Sequence, residues 1–345
     1  MLYVTTRVKQ DTFTASQALN GDRGPEGGFF APKRLPRYPI SEIKALGKNS
    51  FAKNMADVIN HLFGTQLDNW AMEFAVGRYP AKIINAGNRT LVAETWHNPA
   101  WRFERLARGV EKAIRQSDQI RQEPGDWLIV ASRIAVLFGV FGELIRGNAV
   151  SVDAPIDLVV PTGDFSAAMS CWYAREMGLP IANILCCCND NGGAWNLIHK
   201  GVLRTDAAVI STDTPACDHV VPEGIERLIF ATLGLEQTVE FTECCRKNSN
   251  FYLEPHQLQT FRQGLYATVV SQRQMEAAVV SLYSSCGYLA DPYTALCVGG
   301  IGQYRSKSGE SRPALVLSEE SPRYHLGVLA RCLGTTAAEL KSVID

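Results

Sequence analysis

Residues 157–188 constrain the fold more tightly than any other stretch of this chain. Asp157-Leu158-Val159-Val160-Pro161 is a short apolar run that reads as a buried strand. Thr162-Gly163-Asp164-Phe165-Ser166 is a tight turn, Ala167 to Met177 reads as a helix, and Gly178-Leu179-Pro180 ends it. Ile181 to Cys188 is a second apolar run, closed by Asn189-Asp190-Asn191-Gly192-Gly193. Strand, turn, helix and strand in that order make a βαβ unit. Strands joined by a helical crossover lie parallel, and helices must then cover the sheet faces. The fold class expected is α/β.

The remaining chain fits that class. With 345 residues, 46% of them hydrophobic, it can bury a large core. A net charge of −1 gives no support for nucleic-acid or anionic-membrane binding. No apolar run is expected to reach the roughly 18 residues of a membrane span. Met1 to Arg7 lacks a hydrophobic signal core, so a cytoplasmic location is expected. The ten cysteines include the runs Cys186-Cys187-Cys188 and Cys244-Cys245, without CxxC spacing. They read as small, soft, reduced side chains in buried positions rather than as disulfide or zinc ligands. No spacing supports a cysteine nucleophile with His199 or His219.

Asp22 to Pro32 reads as a loop opening into a short apolar strand. Residues 41–64 read as helices, with Ser41 as a cap, Phe51, Met55, Val58, Ile59, Leu62 and Phe63 at helical spacing, and Gly64 as the stop. Leu91 to Thr95 reads as a strand and Phe103 to Ile114 as a helix. Trp127 to Ile145 is an apolar helix, or a strand joined to a helix.

Several motifs carry a family resemblance. Thr95-Trp96-His97-Asn98-Pro99-Ala100-Trp101-Arg102-Phe103-Glu104-Arg105-Leu106-Ala107 resembles the cofactor-lysine segment of threonine synthases, roughly Leu-Phe-His-Gly-Pro-Thr-Leu-Ala-Phe-Lys-Asp-Phe-Ala. Val160-Pro161-Thr162-Gly163-Asp164-Phe165 is similar to the family's Val-Pro-Ser-Gly-Asn-Phe loop, and Arg175-Glu176-Met177-Gly178-Leu179-Pro180 to the segment that follows it. Ala131-Ser132-Arg133-Ile134, Thr214-Pro215-Ala216-Cys217-Asp218 and Asp291-Pro292-Tyr293-Thr294-Ala295 extend the match over most of the chain. The resemblance implies a tryptophan-synthase-β-like fold of the fold-type II pyridoxal phosphate (PLP) class. It would comprise an N-terminal segment over 1–90 and an α/β large domain over 91–345. It also implies a PLP-dependent lyase activity making threonine, with Gly163, Asp164, Phe165 and Ser166 as the phosphate loop.

The departures fall at the chemistry. The lysine that would hold PLP is Glu104, and a carboxylate cannot form a Schiff base. Lys112, eight residues on, lies about 80° round a helix and about 12 Å along it. Lys82 and Lys200 read as surface lysines. Asp164 stands where the family has Asn, and like charges about 4 Å apart cost roughly 1–4 kcal/mol at a protein surface. The turn also reads simply as a βα connection in which Asp164 or Ser166 caps the helix. Glu319 falls near the hydroxyl that meets the pyridine nitrogen in the family. Only 57 residues (161 minus 104) separate Glu104 from Pro161, too few for the family's small domain, which is expected to be missing between about 115 and 155.

Three functional readings follow. The first is a threonine synthase-like pseudoenzyme that needs no cofactor, a scaffold that forms a homo-oligomer or carries a protein partner over its exposed cleft, without nucleic acid or membrane. The second is a PLP enzyme using another lysine. The third is a PLP-independent catalyst or ligand sensor built around His97, Glu104 and Asp164.

Overall fold

A computed structural model describes residues 1–77, 81–96, 103–116 and 123–344, without the side chains of Lys9, Gln10, Phe103 and Glu104. Strands β1 (Leu2–Thr5), β2 (Val8–Thr14) and β3 (Phe30–Pro32) form a small antiparallel sheet in the order β2-β1-β3. Between them lies α1 (Ala15–Asn20), capped by Thr14 and Gln17 in a reciprocal box. Next come α2 (Ile40–Ala45), α3 (Phe51–Phe63) and α4 (Asn69–Val76). Ser41 does not cap: it lies in the first turn of α2, and the cap position is Pro39. Ser50 caps α3 instead, and Gly64 ends it in the left-handed region as expected.

The central sheet has six strands: β4 (Lys82–Asn85), β5 (Thr90–Glu94), β6 (Ile156–Pro161), β7 (Ile181–Cys188), β10 (Leu265–Val269) and β11 (Ala314–Ser318). A separate two-stranded ribbon pairs β8 (Val202–Leu203) with β9 (Phe251–Tyr252). The central order is β10-β7-β6-β11-β5-β4. All neighbours are parallel except β4, which closes one edge antiparallel to β5 with Lys82 opposite Glu94. The α/β expectation holds, and the βαβ unit is β6, α7 (Ser166–Glu176) and β7.

Why the strands read as unbroken apolar runs is visible in the packing. Leu158 and Val160 of β6, Ile184, Cys186 and Cys188 of β7 and Leu315 and Leu317 of β11 enter one core. Val159, Leu185, Cys187 and Val316 enter the other. A sheet buried on both faces cannot alternate apolar with polar. The cysteines of β7 are buried structural side chains, and all ten cysteines are unbridged.

The first core is covered by α3, α6 (Asp126–Arg146), α7, α8 (Gly193–Lys200), α9 (Ile225–Leu233), α10 (Leu235–Lys247) and α11 (Pro255–Phe261). The second is covered by α12 (Gln272–Cys286), α13 (Pro292–Ser308), α14 (Leu326–Leu333) and α15 (Ala337–Ile344). Helix α5 (Phe103–Arg115) lies against α4 and α6. The segment 127–145 is one helix. The expectation that no run reaches membrane-spanning length is corrected here, because α6 is long and apolar enough to cross a bilayer. Its physical role is different: residues on every side of it are buried, which an internal core helix requires.

Candidate functional site

After β6 the chain moves outward through β7 and β10, and then returns to place β11 on the other side of β6. That reversal leaves a crevice beyond the carboxyl ends of β6 and β11, the place where open parallel sheets bind ligands. A cavity of roughly 360 Å³ occupies it. Arg133 from α6, the turn after β6, Ala216, Cys217 and His219, the start of α13, and Glu319, Glu320 and Tyr324 line it.

Two helix N-termini face this cavity, and at each a carboxylate of the chain accepts from backbone N–H groups. At α7, Asp164 folds back so that Oδ1 accepts from the Ser166 N–H at 2.9 Å and from its Oγ at 2.6 Å. At α13, Asp291 Oδ1 accepts from the N–H groups of Tyr293 and Thr294 at 2.8 and 3.1 Å, and Oδ2 accepts from the Thr294 hydroxyl at 2.5 Å. The Ser166 N–H at α7 and the Tyr293 and Thr294 N–H groups at α13, donors of the kind a helix end turns toward an anion, are therefore engaged. Three more donors of the turn are used: Thr162 N–H on the Cys187 carbonyl, Phe165 N–H on the Thr162 carbonyl, and Gly163 N–H on the Cys217 sulfur. Burial pushes that Cys217 thiol up to about 12.

The turn is held rigidly. Gly163 takes φ 47° and Phe165 takes φ 76°, a left-handed conformation that costs a residue with a Cβ. The Phe165 ring offsets that cost by complete burial in the first core. Gly224 donates its N–H to the Asp164 carbonyl at 2.8 Å, and a Cβ on Gly224 would lie 2.6 Å from that same oxygen. Only glycine permits this approach.

Arg133 joins the two halves of the wall. Its Nε and Nη2 donate to the Glu319 carboxylate at 2.6 and 2.9 Å, and its Nη1 donates to Ser166 Oγ at 2.8 Å. Burial disfavours the guanidinium charge, but Glu319 outweighs it and holds Arg133 above its ordinary value. Behind Asp291 lies a second buried carboxylate. Glu94, at the end of β5, pairs with Lys82 at 3.8 Å and bonds Tyr288. Burial raises both Glu94 and Asp291, and Ser318 bridges toward them by donating to Asp291 Oδ2 at 3.2 Å.

Of the residues singled out from the sequence, Gly163, Asp164 and Ser166 line the cavity, whereas the Phe165 side chain is in the core. His97 lies outside the described residues. Glu104 is the second residue of α5, and its side chain also lies outside them. Among the described residues no member of α5 lines the cavity, and no group of three or more His, Cys, Asp or Glu side chains is arranged for a metal. The Arg133–Glu319 pair spans 186 residues of sequence. Both members sat in motifs that resemble the family, yet nothing local signalled that they meet.

The fold is that of the fold-type II PLP class. It superposes on PLP-bound threonine synthase of Brucella melitensis with a TM-score of 0.84 at 17% identity, over 97% of this chain and 92% of that one. Against yeast threonine synthase the TM-score is 0.80 at 14% identity, over 96% and 90%. No family model matches the sequence. Human threonine synthase-like 1 is 27% identical over 158 residues, which are 45% of this chain and 21% of that protein. Threonine synthase of Eremothecium gossypii is 27% identical over 186 residues, 50% of this chain and 36% of that protein. The matched stretch thus spans well under half the length of these relatives. The chain thus has the fold of the threonine synthases and resembles threonine synthase and threonine synthase-like 1 in sequence over about half its length.

Proposed function

We propose that this protein is a non-catalytic member of the threonine synthase-like group, a cytoplasmic binding or oligomeric scaffold whose small domain has been lost. One observation carries the reading: the Asp164 carboxylate sits on the Ser166 N–H and Oγ, in the turn that resembles a phosphate loop. A bound phosphate would have to displace it. Among the described residues the cavity wall contains one arginine, bonded to Glu319, against the carboxylates of Asp164, Asp291, Glu319 and Glu320. A dianion entering there meets like charge, with the Gly163, Phe165 and Ser166 N–H groups engaged. The residues present do not fit PLP, and the sequence supplies Glu104 in place of the lysine.

The test is an absorbance spectrum of the purified protein, alone and with added PLP, followed by borohydride trapping and peptide mass mapping. No aldimine band and no lysine adduct is the expected result. A second reading keeps the cofactor, and Lys82 favours it. Its amine lies at the carboxyl end of β5, the same end of the sheet as the cavity. An adduct mapped to Lys82 would establish that reading and overturn the first.

A further inference from the structure

The two buried carboxyls behind the cavity wall are joined by hydroxyl groups. Ser318 Oγ, at the end of β11, accepts the Trp96 indole N–H at 3.0 Å and donates to Asp291 Oδ2 at 3.2 Å. The Tyr288 hydroxyl bonds both Ser318 and the Glu94 carboxyl. Thr294 donates to Asp291 Oδ2 at 2.5 Å and lies 2.9 Å from Ser318 Oγ. A chain Glu94–Tyr288–Ser318–Asp291 thus runs from the end of β5 to the start of α13, and all four residues are buried.

Counting hydrogens assigns the two ends. A hydroxyl has one hydrogen to donate, and an ionised carboxylate has none. Asp291 is solvated as an anion: two backbone N–H groups bond its Oδ1, and the Ser318 and Thr294 hydroxyls bond its Oδ2. Those two hydroxyl hydrogens are then used, so the hydrogen between Tyr288 and Ser318 comes from Tyr288. The hydrogen between Tyr288 and Glu94 must come from Glu94. The charges around the pair agree. Lys82 on β4 stands 3.8 Å from Glu94, and its side chain is 62% exposed, so water screens it. Asp291 faces His325 and Glu320 of the cavity rim and the Tyr293 hydroxyl, and its own charge opposes a second one on Glu94.

We propose that Glu94 and Asp291 hold one proton between them at neutral pH, on Glu94, and that this proton latches the ends of β5 and β11 to the start of α13. When it leaves to water, the Tyr288 hydrogen turns to the Glu94 carboxylate. The contact between Tyr288 and Ser318 is then left without a hydrogen, and the chain breaks one link from Asp291. The cavity wall is thereby made sensitive to pH by a group that lies behind it. The latch is independent of whether the cleft binds PLP.

Infrared spectroscopy of the full chain tests the assignment. The carbonyl stretch of a protonated carboxyl group is expected at neutral pH. It should move when glutamate is isotope-labelled, stay when aspartate is, and weaken in Glu94→Gln. The labelling needs no variant, so the test survives a Glu94→Gln chain that does not fold. The Trp96 indole N–H donates into the chain and reports the latch. Its NMR signal, assigned by Trp96→Phe, should shift with the same pH midpoint as the infrared band. Asp291→Asn removes the neighbouring charge and should lower that midpoint by about one pH unit. No glutamate band at neutral pH, or an undiminished band in Glu94→Gln, overturns the proposal. So does a Trp96 signal that passes through the midpoint unchanged, or an Asp291→Asn midpoint equal to that of wild type.

Discussion

Arg133 and Glu319 meet across 186 residues in a two-point ion pair, with Nε and Nη2 on the two carboxylate oxygens at 2.6 and 2.9 Å. Their side chains are 13% and 20% exposed. The pair ties α6 to the end of β11, and through Ser166 it ties both to the turn after β6. It is therefore the clasp of the cavity wall.

Removing one member leaves the other charge in a poorly hydrated place. Glu319→Ala is expected to destabilise the protein by about 3 kcal/mol, because breaking such a pair costs more than the pair contributes. Replacing both, Arg133→Met with Glu319→Leu, should cost less than either single change. Urea denaturation of the three variants measures this, and additive losses would contradict it.

Restoring the amine alone should not restore cofactor binding. Glu104→Lys with Asp164 in place keeps the like-charge cost of roughly 1–4 kcal/mol. Adding Asp164→Asn is expected to tighten PLP binding by about tenfold or more. Absorbance titration of the single and double variants decides it, and equal affinities would show that Asp164 does not obstruct the loop.

Burial raises the Glu94 and Asp291 carboxyls above their ordinary range. The native state then holds protons that the unfolded chain has released, so these groups stabilise the fold fully below about pH 4. That stability is lost as pH rises through the raised native values. Glu94→Gln and Asp291→Asn should each gain stability relative to wild type as pH rises from 4 toward neutrality. Urea midpoints across that range test it, and a difference independent of pH would refute it.

Gly224 leaves no room for a side chain against the Asp164 carbonyl. Gly224→Ala is expected to cost about 1–3 kcal/mol through displacement of the turn. A thermal melt reads the loss, and an unchanged midpoint would mean that the turn can shift freely.

Thiol labelling should follow burial. Cys286 is exposed, whereas Cys186, Cys187 and Cys188 are enclosed in the sheet, with Cys188 pushed up to about 12 by burial. Alkylation followed by mass spectrometry should modify Cys286 first. The β7 cysteines should react only through unfolding, slower by about a thousandfold or more.

The sheet was readable because both of its faces are buried, which leaves uninterrupted apolar runs such as Asp157–Pro161 and Ile181–Cys188. The edge strand β4 was not, since Lys82 to Asn85 is short, half-exposed and antiparallel. Helix α6 was ambiguous for the reason that makes it central: a segment buried on every side has no periodicity to show. At the cavity, the turn 162–166 was legible from its glycine and its place before a helix. Neither Asp164 nor Ser166 caps the helix as the βα-turn reading expected: Phe165 holds the cap position, and Asp164 instead makes an Asx turn onto Ser166. Asp291 was visible as part of a motif, but its position opposite that turn is long-range.

The Asp164 carboxylate is in effect a ligand that cannot diffuse away. A tethered group competes with a free one at an effective concentration of millimolar or above. An anion present at about micromolar levels would lose that competition unless its intrinsic affinity were some thousandfold greater. On the proposed reading the turn is expected to ignore phosphorylated molecules at such levels, a form of insulation produced by one carboxylate two residues from the donor it occupies.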